Sequence, residues 1–220
     1  DDLAGVRDLC KREQLWFHVD AAFGGAVALL EEYEPSLKGI GDADSLAFDF
    51  HKWFQVPYAV GGLLVRDARL HQETFSERKE YLSTQAIGLD AGAPWACDFG
   101  PELSRGFLAL KVWFTFQGLG TGRIAEVVRK HCRLARETAD KVDAAGHLER
   151  LAPAPMNILC MRYIPLRLDG DADSNEHYIN ALNRAIVTQL QLRGVAAPST
   201  TTLDGRLAIR VAIVNHRTEQ

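Results

Sequence analysis

The sequence has no long hydrophobic run and no strong excess of charge of either sign. Its apolar runs, such as Ala59–Val65, are far shorter than the roughly 18 residues of a membrane-spanning helix, so we expect a soluble protein with no membrane partner. The chain has 25 Lys and Arg against 29 Asp and Glu, a net charge of −4, and no basic stripe. This balance argues against a nucleic-acid partner.

Cysteine is also scarce. The four cysteines form no CxxC pair and have no histidine at metal-ligand spacing, so neither a disulfide framework nor a metal site is predicted. We expect small buried thiols in a reducing, cytoplasmic compartment. The sequence begins at Asp1 without an initiator Met or a signal segment, and we expect it to start inside a longer protein.

The overall composition is typical of a globular protein with a hydrophobic core. Hydrophobic residues make up 47% and charged residues 25% of 220 residues, which suits one large domain or two small ones. The first part predicts an α/β layer structure, because an amphipathic helix over residues 3–13 precedes three short strands. Those strands are predicted at Leu15–Val19, Ser45–Phe48 and Gly61–Val65.

The second part of the sequence predicts a smaller α+β unit. Residues 67–103 have weak periodicity and are typical of a long functional loop or lid. A helical pattern starts at Ser104, breaks at Gly118–Gly120, and resumes to about Ala145. The remaining predicted elements are a strand, a helix and two strands, at Asn157–Tyr163, Asn175–Leu192, Val195–Thr201 and Leu207–Val214.

Asp20 and Lys52 are the residues most suggestive of chemistry, because each follows a predicted strand of an open α/β sheet. Lys52 is flanked by Phe50, Trp53 and Phe54, and desolvation by such rings would lower its pKa and make the amine available for Schiff-base formation. Asp20 could hold a cationic group of a ligand. The alternative is a structural Asp–Lys ion pair at a sheet edge.

Three segments resemble the pyridoxal-5′-phosphate-dependent group II amino-acid decarboxylases, which act on aromatic amino acids, diaminobutyrate and glutamate. They are His18–Gly25, Ala43–Ser45 and Asp49–Trp53. Leu103–Phe114 is similar to the segment that leads into the family's C-terminal domain, and Leu207–Arg217 to that domain's closing strand. The resemblance implies the C-terminal portion of a fold-type-I enzyme.

In that fold, residues 1–110 would be the later part of the large cofactor-binding domain, and residues 111–220 the small C-terminal domain. The resemblance implies that Lys52 forms a Schiff base with the cofactor aldehyde and that Asp20 pairs with the pyridine nitrogen. Ala22 would lie flat against the ring. His51 would sit by the phosphate or the Schiff base, or else serve only in packing.

Three further roles follow from the resemblance. Tyr81, in the lid-like stretch, would return a proton to the substrate carbon after carbon dioxide leaves, which favours decarboxylation over oxidative deamination. Ser104 would reach the cofactor phosphate of a neighbouring subunit, which implies a homodimer with the active site at the subunit interface. Arg210 would hold the substrate carboxylate as a bidentate fork. Tyr81 and Arg210 could also be ordinary surface residues.

Asp49 departs from the aromatic decarboxylases, which carry asparagine at this position. An ionised Asp49 would repel a phosphate, so we expect it to face away or to bond a backbone amide. The predicted activity is decarboxylation of an aromatic or diaminobutyrate-like L-amino acid to its amine; glutamate is disfavoured because Trp53 follows the lysine. The alternatives are a pyridoxal-phosphate-dependent carbon–carbon lyase and a truncated, non-catalytic fragment.

Overall fold

The computed structural model describes residues 2–76, 87–88, 91–92 and 94–219, and it divides into two compact units, Asp1–Ile124 and Ala125–Gln220. Each unit contains its own sheet. The functional domains predicted at 1–110 and 111–220 stay a prediction. No helix within the described residues is both long enough and apolar enough to cross a membrane.

The first unit opens with helix α1, Leu3–Glu13, where the sequence predicts it. Its N-terminus is capped by Asp2, whose Oδ1 accepts a hydrogen bond from Gly5 N at 2.9 Å. Leu3 and Cys10 of the helix pack on Phe17, Val19 and their buried neighbours beside the sheet. The apolar face of α1 therefore covers one side of strand β1, His18–Asp20.

Strands β1, β2 (Ser45–Asp49) and β3 (Gly61–Val65) form a sheet in that order. β1 pairs parallel with β2, and β2 pairs antiparallel with β3. The predictions for β2 and β3 are confirmed. The prediction placed the start of the first strand too early. The N–H of Phe17 donates to Asp44 Oδ2 at 2.7 Å and not to a neighbouring strand, and β1 begins at the next residue, His18.

The segment predicted as a loop over residues 67–103 contains regular structure in its described parts, which corrects that expectation. Helix α2, Ala68–Phe75, begins where the Asp67 carboxylate accepts hydrogen bonds from Arg69 N and Leu70 N. A short 3-10 helix follows at Ala96–Phe99. An N-cap aspartate was the available signal for α2.

Helix α3, Ala109–Ala144, begins later than the helical pattern at Ser104. It is interrupted at Gly120, whose backbone (φ 76°, ψ 153°) is not helical. The predicted break at this glycine pair is therefore confirmed as a kink. A positive φ of this size suits glycine because it has no Cβ.

The second unit is an α+β structure, as predicted. Its strands β4 to β7 are, in chain order, Leu148–Arg150, Ile158–Tyr163, Ser199–Leu203 and Arg206–Ala212. They form an antiparallel sheet in the order β4-β5-β7-β6, and helix α4, Ala172–Leu192, contacts β7. The short strand β4 was not predicted from the sequence.

His131 gives the second unit a built-in sensitivity to acid. The ring is fully buried, Nε2 donates to Asn215 O at 3.1 Å, and burial holds the pKa of His131 below its ordinary value. The unfolded chain therefore binds a proton at His131 more readily than the folded chain does. The contribution of neutral His131 to stability is fully present above the ordinary histidine pKa, and it is lost as the pH falls below that value.

We expect the urea concentration at the unfolding midpoint, measured by far-UV circular dichroism, to decrease as the pH is lowered from 7.5 to 5.5. The fall should be smaller in His131→Gln, and it should be unchanged in His177→Gln, whose ring is exposed. Equal pH dependence in the wild type and His131→Gln would contradict the assignment.

Candidate active site

Asp20 is the last residue of β1, and its side chain lies on the exposed face of a strand whose Val19 is buried. Ala21 N continues the ladder by donating to Ala47 O at 2.8 Å. The Asp20 carboxylate then accepts from Ala22 N at 2.9 Å, which turns the chain sharply after the strand. The Asp20 side chain is thereby held at the end of β1.

The turn after β2 lies beside the turn after β1. Asp49, the last residue of β2, donates its N–H to Ala22 O at 3.2 Å. Lys52 follows one turn later, with its N–H directed at Asp49 O at 3.4 Å. Parallel pairing of β1 and β2 therefore brings Asp20, Ala22, Asp49 and Lys52 to the same end of the sheet.

Lys52 forms an ion pair with Asp49. Its Nζ lies 2.5 Å from Asp49 Oδ2, and the side chains are 41% and 22% exposed respectively. The hydrogen bond to Asp49 raises the pKa of Lys52, and the negative charges of Asp49 and Asp20 act in the same direction. These interactions favour the ammonium form of the Lys52 amine.

Two expectations from the sequence are corrected here. Lys52 was expected to have a lowered pKa through desolvation, but the hydrogen bond to Asp49 outweighs desolvation and raises the pKa. Two of the aromatic neighbours pack on other rings: Trp53 stacks on Phe23 at 5.3 Å and Phe50 packs against Phe54. Asp49 was expected to face away or bond a backbone amide through its carboxylate. That carboxylate bonds the lysine ammonium.

His51 is anchored by the loop that leads into β3. Its Nδ1 lies 3.0 Å from Val60 N and 2.8 Å from Val60 O, and the ring edge meets Tyr58 at 4.4 Å between centroids. These contacts hold the His51 ring in place, and His51 directly precedes Lys52 in the sequence. The predicted role of His51 at the cofactor stays a prediction.

The remaining predicted residues are placed as follows. Ala22 is half-buried beside Asp20, Ser104 is exposed, and Arg210 is half-buried on β7 opposite Cys160. Tyr81 lies outside the described residues. Gly61, which pairs with Asp49 between β2 and β3, was not predicted as a site residue. The contact between Asp49 and Lys52 was also not predicted, although their i,i+3 spacing was an available signal for it.

The side chains at this sheet end suit pyridoxal phosphate in the chemistry of their donors. Lys52 offers a primary amine for an aldehyde, and Asp20 offers a carboxylate for a protonated ring nitrogen. Asp20 ends β1, Lys52 follows the end of the neighbouring parallel strand β2, and the charge of Asp20 acts on the Lys52 amine. Ala22, two residues after Asp20, carries only a methyl group and is half-buried.

Comparison with known proteins identifies the class. Residues 1–164 match the family described as the pyridoxal-dependent decarboxylase conserved domain, and the chain belongs to that family. It is 34% identical over 218 residues to an aromatic-L-amino-acid decarboxylase of Bacillus atrophaeus, covering 99% of this chain and 44% of that protein. It is 32% identical over 213 residues to tyrosine decarboxylase 3 of Petroselinum crispum, covering 97% and 41%.

The fold agrees with this family. The structure of Oryza sativa TDC with PLP and tryptamine superposes with a TM-score of 0.83 at 26% identity, covering 97% of this chain and 43% of that one. The predicted α/β, fold-type-I architecture is thereby confirmed. The chain spans less than half the length of these relatives.

Proposed function

We propose that this chain carries the Schiff-base lysine of a pyridoxal-phosphate-dependent amino-acid decarboxylase. The observation that carries the proposal is the juxtaposition of Lys52 and Asp20 at one end of the sheet, within a chain of the pyridoxal-dependent decarboxylase family. An aromatic L-amino acid is the proposed substrate class, supported by relatives that are named as aromatic-amino-acid and tyrosine decarboxylases. The proposed setting is a cytoplasmic homodimer.

When bound, the cofactor supplies an electron-accepting ring that stabilises the charge left as the substrate carboxylate departs. Asp20 holds a proton at the ring nitrogen, because an ionised carboxylate beside that atom favours its charged form. Lys52 supplies the amine that attaches the cofactor covalently, and Ala22 leaves space for the ring.

The remaining proposed roles concern the substrate and the partner subunit. Arg210 binds the substrate carboxylate, and Tyr81 returns a proton to the substrate carbon. Ser104 and His51 contact the phosphate region, with Ser104 reaching the neighbouring subunit. Each of these roles rests on the motif in which the residue stands.

Borohydride reduction after incubation with pyridoxal phosphate, followed by peptide mass mapping, tests the proposal. We expect one phosphopyridoxyl adduct, on Lys52, because the charge of Asp20, a carboxylate suited to the ring nitrogen, acts on its amine. Lys52→Arg should lose the adduct, whereas Lys38→Arg, at an exposed lysine elsewhere in the first unit, should retain it. Labelling scattered over surface lysines would contradict the proposal.

A further inference from the structure

Asp49 favours the protonated form of the Lys52 amine, which cannot react with an aldehyde. A primary amine attacks an aldehyde through its nitrogen lone pair, and an ammonium ion has none. The 2.5 Å contact between Asp49 Oδ2 and Lys52 Nζ stabilises the ammonium form and also fixes its position at the end of β2. This one contact therefore orients the Lys52 amine and favours its protonated form, which has no free lone pair.

We propose that Asp49 is a positioning residue that controls when Lys52 becomes nucleophilic. This inference rests on the proposed function of Lys52 as the residue that attaches the cofactor. In the controlled step, Nζ first gives its proton to a base of the solvent. The free amine then adds to the aldehyde carbon, and water leaves as the carbon–nitrogen double bond forms.

Gly61 supports the placement of Asp49 independently. It pairs with Asp49 in the register of β2 and β3, and a Cβ at residue 61 would lie 2.9 Å from Asp49 Oδ1. Because Gly61 has no side chain, the Asp49 carboxylate can occupy the space beside it. Because the crowded atom is the end of a flexible side chain, Gly61→Ala should displace the carboxylate without disrupting the strand.

Other groups also act on Lys52. Asp20, from the end of β1, and Tyr58, from the loop before β3, favour the charged amine, and the ring of His51 lies against Tyr58. All three remain in an Asp49→Asn variant. That variant therefore isolates the contribution of the Asp49 charge, while asparagine keeps the size and an oxygen at the same place.

The test is the pH profile of acetylation of Lys52 by acetic anhydride, read by peptide mass without cofactor. In Asp49→Asn the profile should move to lower pH, with labelling at pH 7.5 about two- to fivefold faster, the size expected for a partly exposed ion pair. Gly61→Ala should shift the profile in the same direction by less. Asp42→Asn removes a carboxylate charge elsewhere in the first unit, 3.2 Å from Arg7 and 3.6 Å from Lys11, and should leave Lys52 unchanged.

The rate of the borohydride-trapped pyridoxal-phosphate adduct supplies the second readout, and we expect it to rise in parallel at pH 7.5. An unchanged acetylation profile in both Asp49→Asn and Gly61→Ala overturns the inference, whatever the adduct result. A shifted profile without any adduct on Lys52 overturns the proposed function instead. The two failures are therefore distinguishable.

Discussion

Under the proposed function, an Asp20→Asn substitution is expected to lower the rate of carbon dioxide release from an aromatic amino acid by about 10²–10³-fold, the range for loss of one preorganised electrostatic contact. Asparagine can still accept the hydrogen bond that Ala22 N donates to Asp20 Oδ1, so the turn after β1 is kept. It cannot carry the negative charge that keeps a ring nitrogen protonated. The loss should therefore fall on the catalytic step.

The adduct experiment separates this effect from a loss of binding. Asp20→Asn should still form a borohydride-trapped adduct on Lys52, because attachment requires the amine and not the Asp20 charge. Asp67→Asn is a matched control, since asparagine also caps a helix such as α2 and the site is elsewhere. A decarboxylation rate in Asp20→Asn within twofold of the wild type would contradict the role of Asp20.

Trp53→Ala is expected to reduce the free energy of unfolding by about 3–5 kcal/mol, the usual cost of emptying a large aromatic site in a core. The Trp53 side chain is 0% exposed and stacks on Phe23, with an interplanar angle of 18°. Trp53 follows Lys52 directly, so this ring anchors the turn that carries the amine. The cavity would therefore weaken both the fold and the position of Lys52.

Urea unfolding followed by far-UV circular dichroism measures this loss without depending on tryptophan fluorescence. Trp113→Ala is the control, because its side chain is 56% exposed and truncation leaves little cavity; it should cost less than about 1 kcal/mol. Equal losses in the two variants would show that Trp53 is not a core anchor. Trp53→Phe should recover part of the stability, since it refills much of the space.

The elements of the site were predictable because their signals are local. The alternation of buried Val19 with exposed Asp20, and the position of Ser45–Asp49, follow from strand periodicity and adjacent turn residues. The motif around Lys52 indicated the family, to which the chain belongs. The start of β1 was missed, because it depends on Asp44, which is distant in sequence and takes the Phe17 N–H.

The sequence by itself determined the strand ends, the residue types that stand there and the class of chemistry they suit. The tertiary structure decided the direction in which the pKa of the Lys52 amine is shifted. Aromatic neighbours in sequence predicted a desolvated Lys52, but Trp53 turns into the core onto Phe23, and the space beside Gly61 admits the Asp49 carboxylate. Electrostatics acts through distances in space, and only the pairing of β1, β2 and β3 set those distances.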